Sequence, residues 1–183
     1  MFHSNTEQLI DYWRERRGAA PVAARTSINP TDFAHLLPQV FMLGRRGAGQ
    51  YHFRLAGGFI ADLHGRDLRD EDLTRIWAFE DRTQLQLALE SARRRPEPLV
   101  IEAEATTDSG AVLKLEIMLT PLAGPTGAVD RMMGFYQPTS PVAALRGQTV
   151  SVLRLKAIRT ASDTGVAALP RLRLATLDGR VLA

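Results

Sequence analysis

The spacing of hydrophobic positions predicts two full-length amphipathic helices and one short helix in this chain. Residues 7–17 form the first, with arginines near its C-terminal end, where cations favour the helix dipole. Residues 81–95 form the longest, with Leu85 and Leu89 on one stripe. Residues 31–37 predict a shorter helix that stops before a proline. Three apolar side chains share one side of the first helix: Leu9, Ile10 and Trp13.

Elsewhere the period shortens to two residues, which is typical of strands with one buried face. Residues 40–55 predict a β-hairpin around a glycine-rich turn. On its second strand Tyr51, Phe53 and Leu55 alternate with polar residues. Three later strands are predicted within 99–107, 112–122 and 130–138, and turn residues join them as antiparallel neighbours.

The stretch FRLAGGFIADLHGRDL places a very short apolar element between glycines. Gly57 and Gly58 allow the chain to leave the second strand sharply and to pass close to the sheet. Gly65 allows it to turn away again. Phe59, Ile60 and Leu63 would then face the sheet. The pattern predicts a short helix that covers the sheet and can shift when the space below it fills.

The totals indicate one ordinary globular domain. A chain of 183 residues, 45% hydrophobic and 23% charged, buries one core. Its lack of cysteine excludes disulfides, thiolate metal sites, a cysteine nucleophile and a flavin–cysteine photochemical adduct. We see no secretory signal and no apolar run of about 18 residues that would cross a bilayer. We therefore expect a cytoplasmic protein without a membrane span.

The positive charge is concentrated at the C-terminal end. Residues 141–183 hold seven basic and two acidic side chains, which gives +5, although the whole chain carries only +3. Such a segment can bind nucleic acid or anionic lipid. Its arginines also alternate with apolar residues, as on a solvated strand. We favour the interpretation as a solvated β arm over the interpretation as a segment that binds nucleic acid.

The order of two strands, short helices, one long helix and three strands resembles the PAS domain family, and in particular largely uncharacterised stand-alone PAS proteins of alphaproteobacteria. The later stretch LEIMLTPLAG, with Arg131 and Gly134, matches as well. Most of the matching residues lie in the first half of the chain: Tyr12, Trp13, Pro21, Arg25, Ile28, Pro30, Leu37, Pro38, Arg54, Leu55, Gly57, Gly65, Arg66 and Trp77.

The resemblance implies an α+β fold: a five-stranded antiparallel sheet with short helices and one long helix on one face. It also implies three parts, namely an N-terminal helical cap and connector over 1–35, a PAS core over 36–138 and a basic, β-forming extension over 139–183. Two positions depart from the family's pattern. Gly58 stands where a hydroxyl residue is usual, and His64 stands where an aromatic is usual.

The inward side chains of such a sheet could line a cavity for a small apolar ligand. They could equally fill a solid core. Three polar residues could contact a ligand: Arg54, His64 and Arg66. A surface or capping role for His64, and local ion pairs for Arg66, are the simpler interpretations. The candidate pocket residues are Phe41, Phe53, Leu55, Phe59, Leu63, Trp77, Leu85, Leu115 and Ile117.

The apolar side of the first helix must be buried, either on the outer face of the sheet or on a second subunit. We prefer a homodimer. Tyr136 could add to the outer face. The candidate interface residues are Leu9, Ile10, Trp13, Val100 and Met118.

No catalytic set is evident. The four histidines show no metal-ligand spacing, and we find neither GxSxG nor a phosphate-binding loop. We therefore predict no metal, no confidently assigned cofactor and no enzyme activity. The sequence favours a sensory or regulatory module that contacts other signalling proteins. The alternatives are a small-molecule binding or carrier protein and, less favoured, an enzyme with an NTF2-like fold.

Overall fold

The structure is a computed structural model that describes residues 1–161. Within this range the chain forms three α-helices: α1 (Ser4–Arg17), α2 (Gly58–His64) and α3 (Arg82–Arg94). Short 3-10 helices occupy Arg25–Ser27, Pro30–Gln39, Leu73–Ile76, Phe79–Asp81 and Val142–Leu145. The strands are β1 (Ala23–Ala24), β2 (Val40–Gly47), β3 (Gln50–Ala56), β4 (Leu99–Thr106), β5 (Val112–Ala123), β6 (Val129–Pro138) and β7 (Val152–Thr160).

The strands form one sheet in the order β3-β2-β6-β5-β4-β7, with antiparallel neighbours throughout. The predicted five-stranded antiparallel sheet is confirmed, and two strands widen it. β1 pairs in parallel with the end of β5. The first half of the predicted C-terminal β arm is β7, which extends the same sheet beside β4. The second half of that arm lies outside the described residues.

The inner face of the sheet is covered by α2, α3 and the 3-10 helices before α3, as predicted. β4 shows why the sequence folds this way. Ile101 and Ala103 are buried in the inner core, whereas Glu102 and Glu104 lie on the other face. Glu104 pairs there with Lys156 of β7 at 2.7 Å. The apolar half of the alternation thus fixes which face the helices cover.

The outer face is covered by α1 and the segment Pro30–Gln39. Trp13 is buried, and its indole Nε1 donates a hydrogen bond of 2.7 Å to the carbonyl oxygen of Pro121 on β5. The five residues predicted to form a dimer interface are buried against each other in this outer core: Leu9, Ile10, Trp13, Val100 and Met118. Because α1 of the same chain covers this face, these residues are not free to contact a second subunit.

Two glycines permit close approach in this fold. A Cβ on Gly57 would lie 2.3 Å from the carbonyl oxygen of Pro38, so α2 can begin here only without a side chain. A Cβ on Gly134 of β6 would lie 2.0 Å from the ring of Phe41 on the neighbouring strand β2. Gly58 has open space around its Cβ position. The predicted close approach therefore depends on Gly57 and not on Gly58.

Each edge strand of the sheet is hydrogen-bonded in part by a neighbouring loop. On β3, the amide of Phe53 donates to Glu71 and its carbonyl accepts from Asp70, at 3.0 and 2.8 Å. On β7, the carbonyl of Leu153 accepts from the amide of Ala78 at 2.9 Å. The amide of Leu155 donates to the Asp81 carboxylate at 2.8 Å. The segments on either side of Leu73–Ile76 thus occupy the two strand edges.

Helix boundaries differ from the prediction at the N-terminal ends. α1 begins at Ser4, and the imidazole of His3 caps it by accepting a hydrogen bond from the amide of Asn5. The second helical stretch is a 3-10 helix that Asn29 caps. An unprotonated histidine nitrogen can accept a hydrogen bond as a serine or asparagine oxygen does. His3 therefore caps α1 one residue before Ser4, which is the first residue of a type that usually caps helices.

Candidate functional site

The candidate site is the inner core between α2, α3 and the sheet. Eight of the nine predicted pocket residues contribute to it: Phe41, Phe53, Phe59, Leu63, Trp77, Leu85, Leu115 and Ile117. Phe59 is half-buried, and the other seven are buried. These side chains pack against one another. Aromatic pairs are formed by Phe41 with Phe53 and with Tyr136, each with 5.5 Å between ring centroids.

Leu55 is not part of this core, and the prediction for it is wrong. Its side chain is 45% exposed. The pairing of β2 with β3 shifts there: Leu43 pairs with Phe53, but Met42 pairs with Leu55, so Arg54 forms a β-bulge. The bulge reverses the alternation after Phe53. Leu55 consequently lies on the outer side with Met42, and Arg54 is exposed instead of contacting the core.

His64, at the end of α2, is the predicted polar residue that the structure places in the core. It is 5% exposed, which corrects its interpretation as a surface histidine. Its Nε2 forms a long hydrogen bond of 3.4 Å with the hydroxyl of Tyr136 on β6. Tyr136 lies on the inner face opposite Ile117, so its predicted place on the outer face is also wrong. This pair links α2 to the middle of the sheet.

Burial determines the charge of both partners. Desolvation, and to a smaller extent the nearby Arg66 guanidinium, lowers the pKa of His64 to about 4, against a smaller raising effect of Glu71. Burial also raises the pKa of the Tyr136 hydroxyl. At neutral pH both groups are therefore uncharged. The hydrogen bond can run in either direction, depending on which imidazole nitrogen carries the proton.

Arg66 lies beside the core but does not enter it. Its Nε and a terminal nitrogen donate to the two carboxylate oxygens of Glu71 at 2.9 and 3.0 Å. The local ion pair predicted for Arg66 is present, and its partner is Glu71. Hydrogen bonding to Arg66 lowers the pKa of the Glu71 carboxyl. This ion pair lies on the solvent side of the residues that follow the C-terminal end of α2.

Two further polar groups lie buried at the inner core. The indole Nε1 of Trp77 has no hydrogen-bond partner among the described residues. Burial raises the pKa of Tyr51 to about 12, although the neighbouring Arg45 acts to lower it. Buried donors are nearly always paired, so the Trp77 indole is available to an acceptor that enters the core.

α2 also contacts the segment that leads into β7. The amide of Val150 donates to the carbonyl of Leu63 at 2.8 Å. Gly65, with a φ of 66°, packs so closely on Thr149 that a Cβ would lie 2.6 Å from its methyl group. The following residue, Ser151, donates its amide to Thr106 at the end of β4. A displacement of α2 would therefore reach the C-terminal extension directly.

Within residues 1–161, no three histidine, aspartate or glutamate side chains cluster as metal ligands. In the same range, no helix has the length and apolar character that crossing a membrane requires.

The fold and the core together define the class of protein. The molecule has an antiparallel sheet, and helices cover an apolar core on one face of it. One short helix, α2, contacts the sheet through the polar pair of His64 and Tyr136. The PAS domain family model matches residues 1–137. The chain belongs to the PAS domain family, which confirms the predicted resemblance and separates the chain from the NTF2-like alternative.

Solved structures with similar coordinates include the LOV protein of Rhodobacter sphaeroides, 11% identical, which covers 64% of this chain and 72% of its own at a TM-score of 0.47. The light state of the Aureochrome1 LOV photoreceptor is 9% identical over 62% of this chain and 91% of its own, at 0.46. Vibrio cholerae VqmA is 13% identical, and the match covers 65% of this chain and 56% of VqmA at a TM-score of 0.45. No curated protein matches the chain.

Proposed function

We propose that this PAS domain is a non-catalytic sensory and regulatory module that acts through contacts with other proteins. The observation that supports this proposal is the buried pair of His64 and Tyr136. A polar pair in an apolar core is satisfied only while both partners stay in place, so a molecule or proton that competes for it changes the position of α2.

The contacts of α2 provide the route from the core to the surface. The helix has only seven residues between Gly57 and Gly65, so its own backbone hydrogen bonds stabilise it little. Its C-terminal end is bonded to Val150, which leads into β7. A change at His64 would therefore alter the extension as well as the helix. We propose the surface formed by α2 and the extension as the part that partner proteins detect.

A small-molecule binding or carrier role is the second candidate, and the unpaired Trp77 indole supports it. An apolar molecule with one acceptor oxygen or nitrogen could accept a hydrogen bond from Trp77 Nε1 inside the core. In a carrier, bound ligand would be the whole function. In a regulatory module, a bound ligand would be the signal that the domain detects, and a module without a ligand would act through protein contacts alone.

Native mass spectrometry and an absorbance scan of the purified full chain separate these candidates. A stoichiometric ligand that stays bound to the wild type, with no partner recovered in a pull-down from the source organism, would favour the carrier. Partner proteins that bind the wild type but not a Tyr136→Phe variant would support the regulatory module. Equal partner binding by both would contradict the proposed role of the pair.

A homodimer remains a prediction. Its contact would have to use residues other than the buried side of α1, and sedimentation at high micromolar concentration measures it directly. Cytoplasmic location likewise remains a prediction.

A further inference from the structure

An open depression of about 420 Å³ lies on the outer side of the molecule, where the C-terminal ends of α1 and α3 meet. Arg14 and Arg17 of α1 line it, together with Arg95, which follows α3. Glu97 is the acidic residue that lines it, so the lining side chains sum to a charge of +2. This surface is separate from the inner core and has no part in the site described above.

Arg17 is held in a fixed place in this depression. Its guanidinium lies 5.3 Å from the centre of the Trp13 ring, and Trp13 is itself fixed by its hydrogen bond to Pro121. The Nε of Arg17 is buried and has no hydrogen-bond partner among the described residues. Arg17 as a whole is half-buried and forms no ion pair within residues 1–161, so no carboxylate there offsets its charge.

The other two arginines differ in their availability. Arg14 is already bound, because it donates to the Asp11 carboxylate and to the carbonyl oxygen of Ala161. Arg95 is exposed, and its side chain forms no ion pair within residues 1–161. Arg17 and Arg95, one from each helix end, are therefore the two cations that a ligand can reach.

We propose that this depression binds an acidic segment of a protein partner. The inference rests on the proposed function, because it gives the chemical class of the protein that the module contacts. Guanidinium groups match carboxylates with two parallel hydrogen bonds. Two available arginines on different elements suit a chain that presents successive carboxylates.

The opposite side of α1 supports this choice of partner. The carboxylates that line a second depression of about 380 Å³ there are Asp11, Glu15 and Asp32, and two of them are already paired, Asp11 with Arg14 and Asp32 with Arg16. That side offers an acidic segment no lining cation, whereas the arginine side offers two. The two sides of α1 thus differ in the charge they present, and such a difference fixes the orientation of a charged partner.

The test is the binding of a fluorescein-labelled octaglutamate peptide to the full chain, measured by fluorescence anisotropy at low ionic strength. We expect the Arg17→Gln/Arg95→Gln double variant to bind about tenfold more weakly, since it loses two surface ion pairs. The matched control is Arg69→Gln/Arg75→Gln, which removes the same charge from exposed positions elsewhere. We expect it to change the affinity less than twofold.

Absence of octaglutamate binding would overturn the inference, and so would an equal loss of affinity in both double variants or equal binding of an octaglutamine peptide. Competition by inorganic phosphate at the same concentration as the glutamate side chains would overturn it too, because a single anion would then suffice. The assay needs no change in the inner core. Its failure therefore leaves the proposed function untouched, and failure of the Tyr136→Phe test leaves this result untouched.

Discussion

Acid should weaken this fold through one histidine. In the folded protein the pKa of His64 is about 4, whereas in an unfolded chain a histidine titrates near 6.5. Between these two values the unfolded state binds a proton that the folded state does not bind. Stability is therefore greatest above pH 6.5 and falls as the pH drops toward 4. The difference between the two pKa values corresponds to roughly 3 kcal/mol of unfolding free energy.

The matched variant is His64→Gln, which does not titrate but retains an amide that can bond to Tyr136. Urea unfolding of both proteins at several pH values between 7.5 and 4 gives the difference in their unfolding free energies. We expect this difference to be constant above pH 7 and to shift against the wild type by roughly 3 kcal/mol by pH 4. Other titrating groups, including His52, are common to both proteins and cancel.

A difference that stays within about 0.5 kcal/mol across this range would refute the reasoning, because small changes of that size are usual for surface sites. It would mean that His64 accepts a proton in the folded state as easily as in water. The core would then have to open around α2 at no cost, and the His64–Tyr136 contact could not hold that helix in place.

Substitutions at three further sites test the packing, each by urea unfolding. Gly134→Ala should destabilise the fold by about 1–3 kcal/mol, because its Cβ meets the Phe41 ring; a loss that Phe41→Leu does not partly rescue would contradict this cause. Gly57→Ala should destabilise by a similar amount while Gly58→Ala changes stability by less than about 0.5 kcal/mol, and equal effects would disprove the contact with Pro38. Leu55→Ser should cost less than about 1 kcal/mol, and a loss above 2 kcal/mol would place it in the core.

Local patterns predicted most of the fold. The stripe of Leu85 and Leu89 identified α3 within one residue at each end, because a half-buried helix must repeat its apolar positions. The alternation in β4 identified its inner and outer faces for the same reason. Each of these elements has one face exposed to solvent, and the polar residues on that face make the periodicity visible in the sequence.

The errors fall where that pattern is absent. β6 is buried on both faces, since Met132 and Tyr136 lie inside while Met133 and Phe135 lie under α1. Apolar residues on both sides do not show which side Tyr136 takes. The β-bulge at Arg54 is a change in backbone pairing that requires no particular side chain. The spacing of apolar residues therefore does not predict that Leu55 lies on the outer side.

Candidate site residues were harder to predict than the fold, because their roles depend on distant partners. His64 is buried because α2 lies on the sheet and Tyr136 occupies the strand below it, 72 residues later in the chain. The sequence shows no second ligand for it, which makes a surface or capping position the simpler interpretation. Pairing between such remote positions depends on the sheet order, which local periodicity does not contain.

The loop hydrogen bonds on β3 and β7 restrict how this protein can meet others. An open strand edge invites another chain to add a strand, either in a specific complex or in an aggregate. Here Asp70 and Glu71 occupy one border, and Ala78 and Asp81 occupy the other. Strand addition at Phe53 of β3 or at Leu153 and Leu155 of β7 would first have to displace those loops. At these positions a partner meets side-chain surfaces, where charge and shape select it.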